Sequence, residues 1–220
     1  PDRLVVIAVD TPSGIGVDDG TVPGAVLPAD VTVTFGTLKP GLLLPPAANL
    51  AGRLVPIDIG LDFGDGIPAV HRLELADVAA LWPIPGAADH KYTRGVVGVV
   101  AGTAQFPGAA VLTTSAAIRA GAGMVRFLGA DVVAAHVLRH RPEVVRADGQ
   151  VQSWVLGPGV AEDDPEQIGR IRGILRNLTV PAVIDAGALT LLPKLLDELT
   201  PAQRELMVLT PHAGELARLL

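Results

Sequence analysis

The residues able to do chemistry sit at short Gly- and Pro-rich breaks that follow apolar runs. In Val9-Asp10-Thr11-Pro12-Ser13-Gly14, Asp10 offers a carboxylate and Ser13 a hydroxyl. Both are oxygen donors suited to a hard cation or a ribose hydroxyl. The alternative is an Asx or Pro turn that only reverses the chain. In Gly102-Thr103-Ala104-Gln105-Phe106-Pro107-Gly108-Ala109-Ala110, small residues would let a ligand approach the backbone where a helix begins. No Lys-Ser/Thr pair follows Gly108, so this is not a P-loop. A tight, closely packed turn accounts for it equally well. Gly157-Pro158-Gly159 exposes backbone N–H groups and blocks nothing, although Gly-Pro pairs are ordinary turn punctuation.

Two further breaks carry side chains. Asp185, in Asp185-Ala186-Gly187-Ala188, could hold Mg²⁺ indirectly or cap the next helix, and capping is the simpler expectation. His212, in Thr210-Pro211-His212-Ala213-Gly214-Glu215, could donate to or stack on a substrate. The same stretch could instead be a capping loop whose Glu215 meets the first-turn N–H groups. His136 and His140 have the i, i+4 spacing of metal ligands, but Arg139 and Arg141 flank His140 and no third ligand is evident, so a solvated helix face is expected. Glu162, Asp163 and Asp164 precede a Pro-initiated helix, where negative charge suits the dipole.

The elements that must position these groups follow from apolar patterning. Continuous Leu/Val/Ile runs predict strands over residues 4–9, 31–35 and 54–59, with a short helix at 47–51. Residues 61–89 read as a Gly- and Pro-rich connector with one short helix at 75–81. Beyond it the pattern alternates. Strands are predicted at 96–101, 124–128, 153–156, 182–184 and 206–209. Helices are predicted at 109–120, 132–139, 165–177 and 189–196, and another starts at 214. Alternation of this kind gives a parallel sheet with helices on its faces.

Composition narrows the function classes. The chain has 220 residues, 49% of them hydrophobic and 18% charged, enough for a core and unlike a disordered segment. Net charge is −6, which argues against a nucleic-acid partner. There is no cysteine, so disulfides, thiolate metal sites and cysteine nucleophiles are excluded, and a reducing cytoplasm is compatible. Mean hydropathy is +0.44, yet no run approaches the roughly 20 apolar residues of a spanning helix, so no membrane partner is expected. Pro1-Asp2-Arg3 starts without Met and without a signal-peptide pattern, which suggests a chain cut upstream.

The order of the motifs is more informative than any one of them. Val-Asp-x-Pro-Ser-Gly, then Val33-Thr34-Phe35-Gly36-x-x-Lys39-Pro40-Gly41, then Asp58-Ile59-Gly60 resembles the closing part of an NAD(P)H-hydrate epimerase domain. His90-Lys91-Tyr92-x-Arg94-Gly95, Pro107-Gly108-Ala109-Ala110, Arg119-Ala120-Gly121-Ala122-Gly123, Gly157-Pro158-Gly159, Asp185-Ala186 and Thr210-Pro211-His212-x-Gly214-Glu215 resemble the opening of an ADP-dependent NAD(P)H-hydrate dehydratase domain. That order is the one found in bifunctional NAD(P)H-hydrate repair enzymes.

The resemblance implies an α/β fold in which the C-terminal part of a Rossmann-like epimerase domain is followed by the N-terminal part of a ribokinase-like domain. The expected segments are 1–66 for the epimerase part, 67–89 for linker and domain entry, and 90–220 for the dehydratase part. The implied activity is repair of hydrated NADH and NADPH. The epimerase interconverts the R and S hydrates, and the dehydratase removes water from the S hydrate with ADP and Mg²⁺. By motif match, Asp10 would bind the hydrate in the epimerase and Ser13 would help to ligate a potassium ion. Ala109, Gly159 and His212 would line the hydrate pocket of the dehydratase. A cytoplasmic setting is the expectation in the absence of cysteine and of a signal-peptide pattern, with room for a homo-oligomer.

Departures from the family pattern bear on activity. Neither Asn-Asn-Gly-Gly-Asp-Gly nor the Gly-Thr-Gly-Asp segment that carries the family's catalytic Asp occurs in these residues, and Gly187 stands where relatives often have a second Asp. The isolated chain is therefore expected to be a fragment across a domain junction, holding part of each site and turning over neither substrate. Two rivals remain at this level. A ribokinase-like small-molecule kinase leaves the Asp-Thr-Pro-Ser-Gly half without a role, and a non-catalytic nucleotide-binding module would bind without chemistry.

Overall fold

The computed structural model describes residues 4–64 and 67–220. The Pro1-Asp2-Arg3 start and the expected segment end at residue 66 lie outside the described residues. The chain divides into two compact units, Pro1–Trp82 and Pro83–Leu220.

The first unit holds a three-stranded parallel sheet, β1 (Ile7–Val9), β2 (Val31–Phe35) and β3 (Arg53–Ile57), in that spatial order. β1 is shorter than the apolar run 4–9 predicts. The ladder opens only where Ile7 meets Val31. One residue earlier, the Asp30 carboxylate takes the Val6 amide at 3.0 Å. Burial on β2 falls on Thr32 and Thr34. A buried hydroxyl needs a partner, and Thr32 donates to the Ala51 carbonyl at 2.6 Å. The small core beneath consists of Ile15, Leu42, Ala47 and Ala51. Two short 3₁₀ turns, Pro40–Leu42 and Ala47–Leu50, supply part of it. A capped helix, α1 (Leu75–Leu81), follows with no buried residue.

The second unit runs β4 (Val96–Val100), α2 (Pro107–Arg119), β5 (Met124–Phe127), α3 (Asp131–His140), β6 (Ser153–Leu156), α4 (Pro165–Arg176) and β7 (Ala182–Ile184). It continues through α5 (Leu192–Leu195), α6 (Pro201–Glu205) and β8 (Met207–Leu209) to α7 (Ala213–Leu219). The five strands are parallel in the order β5-β4-β6-β7-β8. Successive residues of β4 and the position after it serve opposite layers. Val99 and Ala101 pack with α2 and α3, through Ala110, Val133 and Val137. Val100 packs with α4 and the segment after β7, through Ile171, Leu175 and Leu189. A strand covered on both faces must be apolar throughout, which explains the Val-Val-Gly-Val-Val run. Gly98 in its middle lies beneath the Trp154 ring, in space that any side chain would contest.

Two local differences from the sequence patterning have clear causes. The predicted helix 189–196 is broken into a 3₁₀ stretch, Ala186–Leu191, and α5. Pro193 has no N–H to bond back to Leu189, so the helix restarts with Pro193 in its first turn. α6 was not evident from apolar periodicity. It is a single capped turn in which the Thr200 hydroxyl accepts from the Gln203 amide at 3.3 Å and the Gln203 side chain returns to Thr200 at 2.9 Å. Among the described residues, no helix is long and apolar enough to cross a membrane.

Candidate functional site

In the first unit the chemistry gathers at the carboxyl ends of β1 and β2. Asp10 leaves β1 with φ +67°, a conformation that costs a non-Gly residue about 1–2 kcal/mol. Its amide donates to the Val33 carbonyl at 2.6 Å, and the Thr11 amide reaches back to Val9 at 3.0 Å. The Asp10 Oδ1 atom accepts from Lys39 Nζ, from Thr34 Oγ1 at 3.1 Å and from the Phe35 amide at 3.4 Å. The hydrogen bond from Lys39 is the foremost reason that the Asp10 carboxyl is held below the ordinary aspartate range, with Phe35 and Thr34 adding to it against a partial desolvation. Ser13 lies three residues on and is exposed. No contact joins it to Asp10 among the described residues.

In the second unit the strand order creates a position that the sequence alone does not reveal. The chain leaves β4 outward to β5, then returns across β4 to lay down β6 on its other side. In open parallel sheets the crevice at such a reversal, outside the carboxyl ends, is where ligands bind. The loop that follows β4 leads into the first turn of α2, which carries Ala109, and the loop that follows β6 carries Gly159. They touch. The Gly102 amide donates to the Pro158 carbonyl at 2.7 Å. A Cβ placed on Gly159 would collide with the Ala109 methyl, and it would lie 3.5 Å from the Gly102 Cα. Gly157 and Gly159 both have positive φ, +106° and +66°, and a Cβ on Gly157 would collide with the Asp185 carbonyl. Gly102 is tied a second time by Gln167 of α4, whose Nε2 donates to its carbonyl. Gln167 is buried, and its Oε1 has no partner.

His212 follows β8, two strands from β6 at the same sheet edge. Two strand spacings of about 4.8 Å separate the strand ends that lead to Gly159 and to His212. The imidazole is already employed. Its Nδ1 accepts from the Gly214 amide at 3.0 Å and from the Glu215 amide at 3.4 Å, and the Glu215 carboxylate accepts from the His212 amide at 2.9 Å. The capping loop is present, with the histidine rather than Glu215 as the cap. Asp185 differs from its expected role. It stands at the N-cap position but makes no cap, and its carboxylate instead accepts the Thr210 hydroxyl at 2.9 Å. At the start of α4, where only favourable negative charge was expected, Asp164 also caps the helix and accepts from the Gln167 amide at 3.1 Å.

Metal chemistry finds little support in these side chains. Among the described residues, no group of three or more His, Asp or Glu could hold a metal ion. His140 is exposed, with Nδ1 within 2.9 Å of the His136 carbonyl. A potassium ion wants a shell of several oxygens, and the exposed Ser13 supplies one hydroxyl, with no side-chain hydrogen bond to another group among the described residues. The residues present do not fit a complete Mg²⁺ or K⁺ site.

Lys39, Thr34 and Gln167 were not singled out by motif reasoning. Lys39 and Thr34 stand inside the Val-Thr-Phe-Gly-x-x-Lys-Pro-Gly stretch, which is the signal that could have drawn attention to them. Nothing local marks Gln167.

Comparison with known proteins agrees with this geometry. A family model described as NAD(P)H-hydrate dehydratase matches residues 97–220, and one described as YjeF-related protein N-terminus matches residues 2–41. The bifunctional NAD(P)H-hydrate repair enzyme Nnr of Mycobacterium tuberculosis H37Rv is 46% identical over 98% of this chain and 44% of its own length. The Escherichia coli enzyme of the same name is 36% identical over 98% of this chain and 43% of its own. The chain thus spans less than half the length of these relatives. Among solved structures, an ADP/ATP-dependent NAD(P)H-hydrate dehydratase from Bacillus subtilis, co-crystallized with ATP/Mg²⁺, aligns with TM-score 0.53 and 25% identity over 66% of this chain and 53% of that one. A ribokinase-like superfamily protein from Enterococcus faecalis aligns with TM-score 0.55 and 23% identity over 62% of this chain and 51% of that one, a likeness of fold. With a parallel α/β sheet of ribokinase-like kind and a family model that covers more than half of its residues, the chain belongs to the NAD(P)H-hydrate dehydratase family.

Proposed function

We propose that this chain contributes to the repair of hydrated nicotinamide dinucleotides through two partial sites. Asp10 and Ser13 of the first unit belong to the one that interconverts the R and S hydrates. Ala109, Gly159 and His212 of the second belong to the one that holds the S hydrate for ADP-dependent dehydration to NADH or NADPH. The observation that carries this reading is the meeting of Ala109 and Gly159 where the strand order reverses between β4 and β6. Two small residues there keep bulky side chains out of the way of a ligand, although the Ala109 amide is itself bonded to the Phe106 carbonyl at 3.3 Å, and His212, farther along the edge, would meet another part of the same long ligand.

The Bacillus relative is named as ADP/ATP-dependent and was co-crystallized with ATP/Mg²⁺; a nucleotide with Mg²⁺ at the dehydratase and potassium at the epimerase are what the family resemblance implies, and the side chains of the described residues complete neither metal site. The chain's own residues would bind and orient. Asp10 would accept a hydrogen bond from a hydroxyl of the hydrate, and the Gly157–Gly159 loop would exclude side chains from the ring's plane. We assign residues 1–66 to the epimerase part, 67–89 to the connector and 90–220 to the dehydratase part. The connector assignment is supported by α1, which buries no residue. We read the protein as cytoplasmic, without a nucleic-acid partner, and able to associate with its own copies, in keeping with its net charge of −6 and lack of cysteine.

Calorimetric titration of hydrated NADH and of ADP into the 220-residue chain tests this. Hydrate binding without ADP-stimulated recovery of NADH absorbance is the expected result. Heats no larger than dilution for the hydrate would refute the reading.

A further inference from the structure

We propose that Lys39 is a positioning residue for Asp10, fixing one oxygen of the carboxylate so that the other is presented to a hydroxyl of the hydrated nicotinamide; this rests on the epimerase reading of the first unit. The geometry is one-sided. An ammonium has three N–H donors, and Lys39 Nζ spends them on three acceptors: Asp10 Oδ1, Thr34 Oγ1 at 2.9 Å and the Phe35 carbonyl at 3.0 Å. It has no donor left for a ligand. Oδ1 in turn accepts from Lys39, Thr34 and the Phe35 amide. Oδ2 makes no hydrogen bond among the described residues.

Exposure follows the same division. The Lys39 side chain is 22% exposed and that of Asp10 is 47% exposed, so the clamp lies beneath and the carboxylate reaches the surface. Lys39 is itself held in place. Pro40 opens the 3₁₀ turn directly after it, and the Gly41 amide donates to the Val17 carbonyl at 2.6 Å. An aspartate with positive φ persists only where its surroundings over-determine it, and the clamp meets that requirement together with the Asp10 amide bond to Val33. An exposed ion pair that served stability alone would contribute little, and it would not need every contact on one oxygen. Lys39 is the one charged side chain that acts on Asp10 among the described residues.

The test uses the 220-residue chain with Lys39→Met, Lys39→Gln and Lys39→Arg. The Asp10 carboxyl is followed by ¹³C NMR over acid pH, its signal assigned with Asp10→Asn, and hydrated NADH binding is measured by calorimetry at neutral pH. The Asp10 midpoint should rise in the Met variant and stay near the wild-type position in the Arg variant. Hydrate binding should weaken roughly ten-fold in the Met variant, the scale of one misaligned charge-assisted hydrogen bond, with partial rescue by Arg. Should the Met variant lose its circular dichroism, the Gln variant, which keeps a polar side chain without the charge, is read instead. An Asp10 midpoint that does not move on loss of the Lys39 charge overturns the proposal alone. Unchanged hydrate affinity in that variant also overturns it. A wild-type chain that binds no hydrate overturns the epimerase reading and, with it, the substrate-facing half of this one.

Discussion

The contact between Gly159 and Ala109 sets the outcome of a double-mutant cycle. Gly159 has φ +66°, so Gly159→Ala places an L-residue in the left-handed region at a cost of about 1–2 kcal/mol. The new methyl would sit under 3.0 Å from the Ala109 methyl, closer than real Cβ atoms come. Restoring ordinary carbon contact of about 3.5–4 Å demands that the 157–159 loop or the first turn of α2 move by roughly an ångström. Overpacking of that kind costs about 1–3 kcal/mol, so the single variant should lose about 2–5 kcal/mol in all. Ala109→Gly removes the opposing methyl at a helix-propensity cost of up to about 1 kcal/mol. The double variant keeps the backbone strain and the helix cost but loses the clash. A favourable coupling of about 1–3 kcal/mol should therefore appear. Urea unfolding followed by Trp154 fluorescence, in a Trp82→Phe background that leaves one tryptophan, reads it from the second unit. Gly108 supplies the control, because nothing lies within 4 Å of a Cβ built there. Gly108→Ala should be neutral or stabilising by up to about 1 kcal/mol. Additive effects of Gly159→Ala and Ala109→Gly would refute the account of this crevice.

Three more outcomes follow from the same structure. His212 both caps α7 and is assigned to the hydrate pocket. His212→Asn should keep the cap while His212→Ala loses about 0.5–2 kcal/mol of it, yet both should lose hydrate affinity by calorimetry; an Asn variant that binds as wild type would confine His212 to capping. The stability contribution of Asp10 is present above the ordinary aspartate range and is lost as pH falls through its lowered folded-state value, because the unfolded chain then binds the proton more readily. Asp19 and Asp89, held by the Thr21 and Gly86 amides, shift in the same direction. Denaturation from pH 7 to acid should be less pH-dependent in Asp10→Asn than in wild type, and identical slopes would contradict the ion-pair account. Gln167→Ala leaves the Gly102 carbonyl without its side-chain donor and should cost about 1–3 kcal/mol in urea unfolding; a neutral result would mean that the amide does not hold the loop.

Much of the fold was legible because its signals are local. The Val-Val-Gly-Val-Val run reads as a strand, and the structure bears that out, as it does the helix that opens at Pro165; the helix expected from 109 begins two residues earlier, at Pro107. Where local signals conflicted with packing, packing decided. The run 4–9 was shortened to Ile7–Val9 because its ladder partner begins at Val31. Asp185 was drawn from its cap to the Thr210 hydroxyl of the neighbouring strand end.

The amino-acid order by itself determined the alternation of strands and helices, the small residues at the breaks and the motif succession that resembles the repair-enzyme family, since each depends on neighbours along the chain. Only the tertiary structure decided that β4 lies between β5 and β6, and hence that Ala109 and Gly159, fifty residues apart, come into contact. It also brought Lys39 across twenty-nine positions to a single oxygen of Asp10. Strand order and side-chain convergence are set by which faces bury which neighbours, and that competition is settled by the whole packed unit rather than by any stretch of sequence within it.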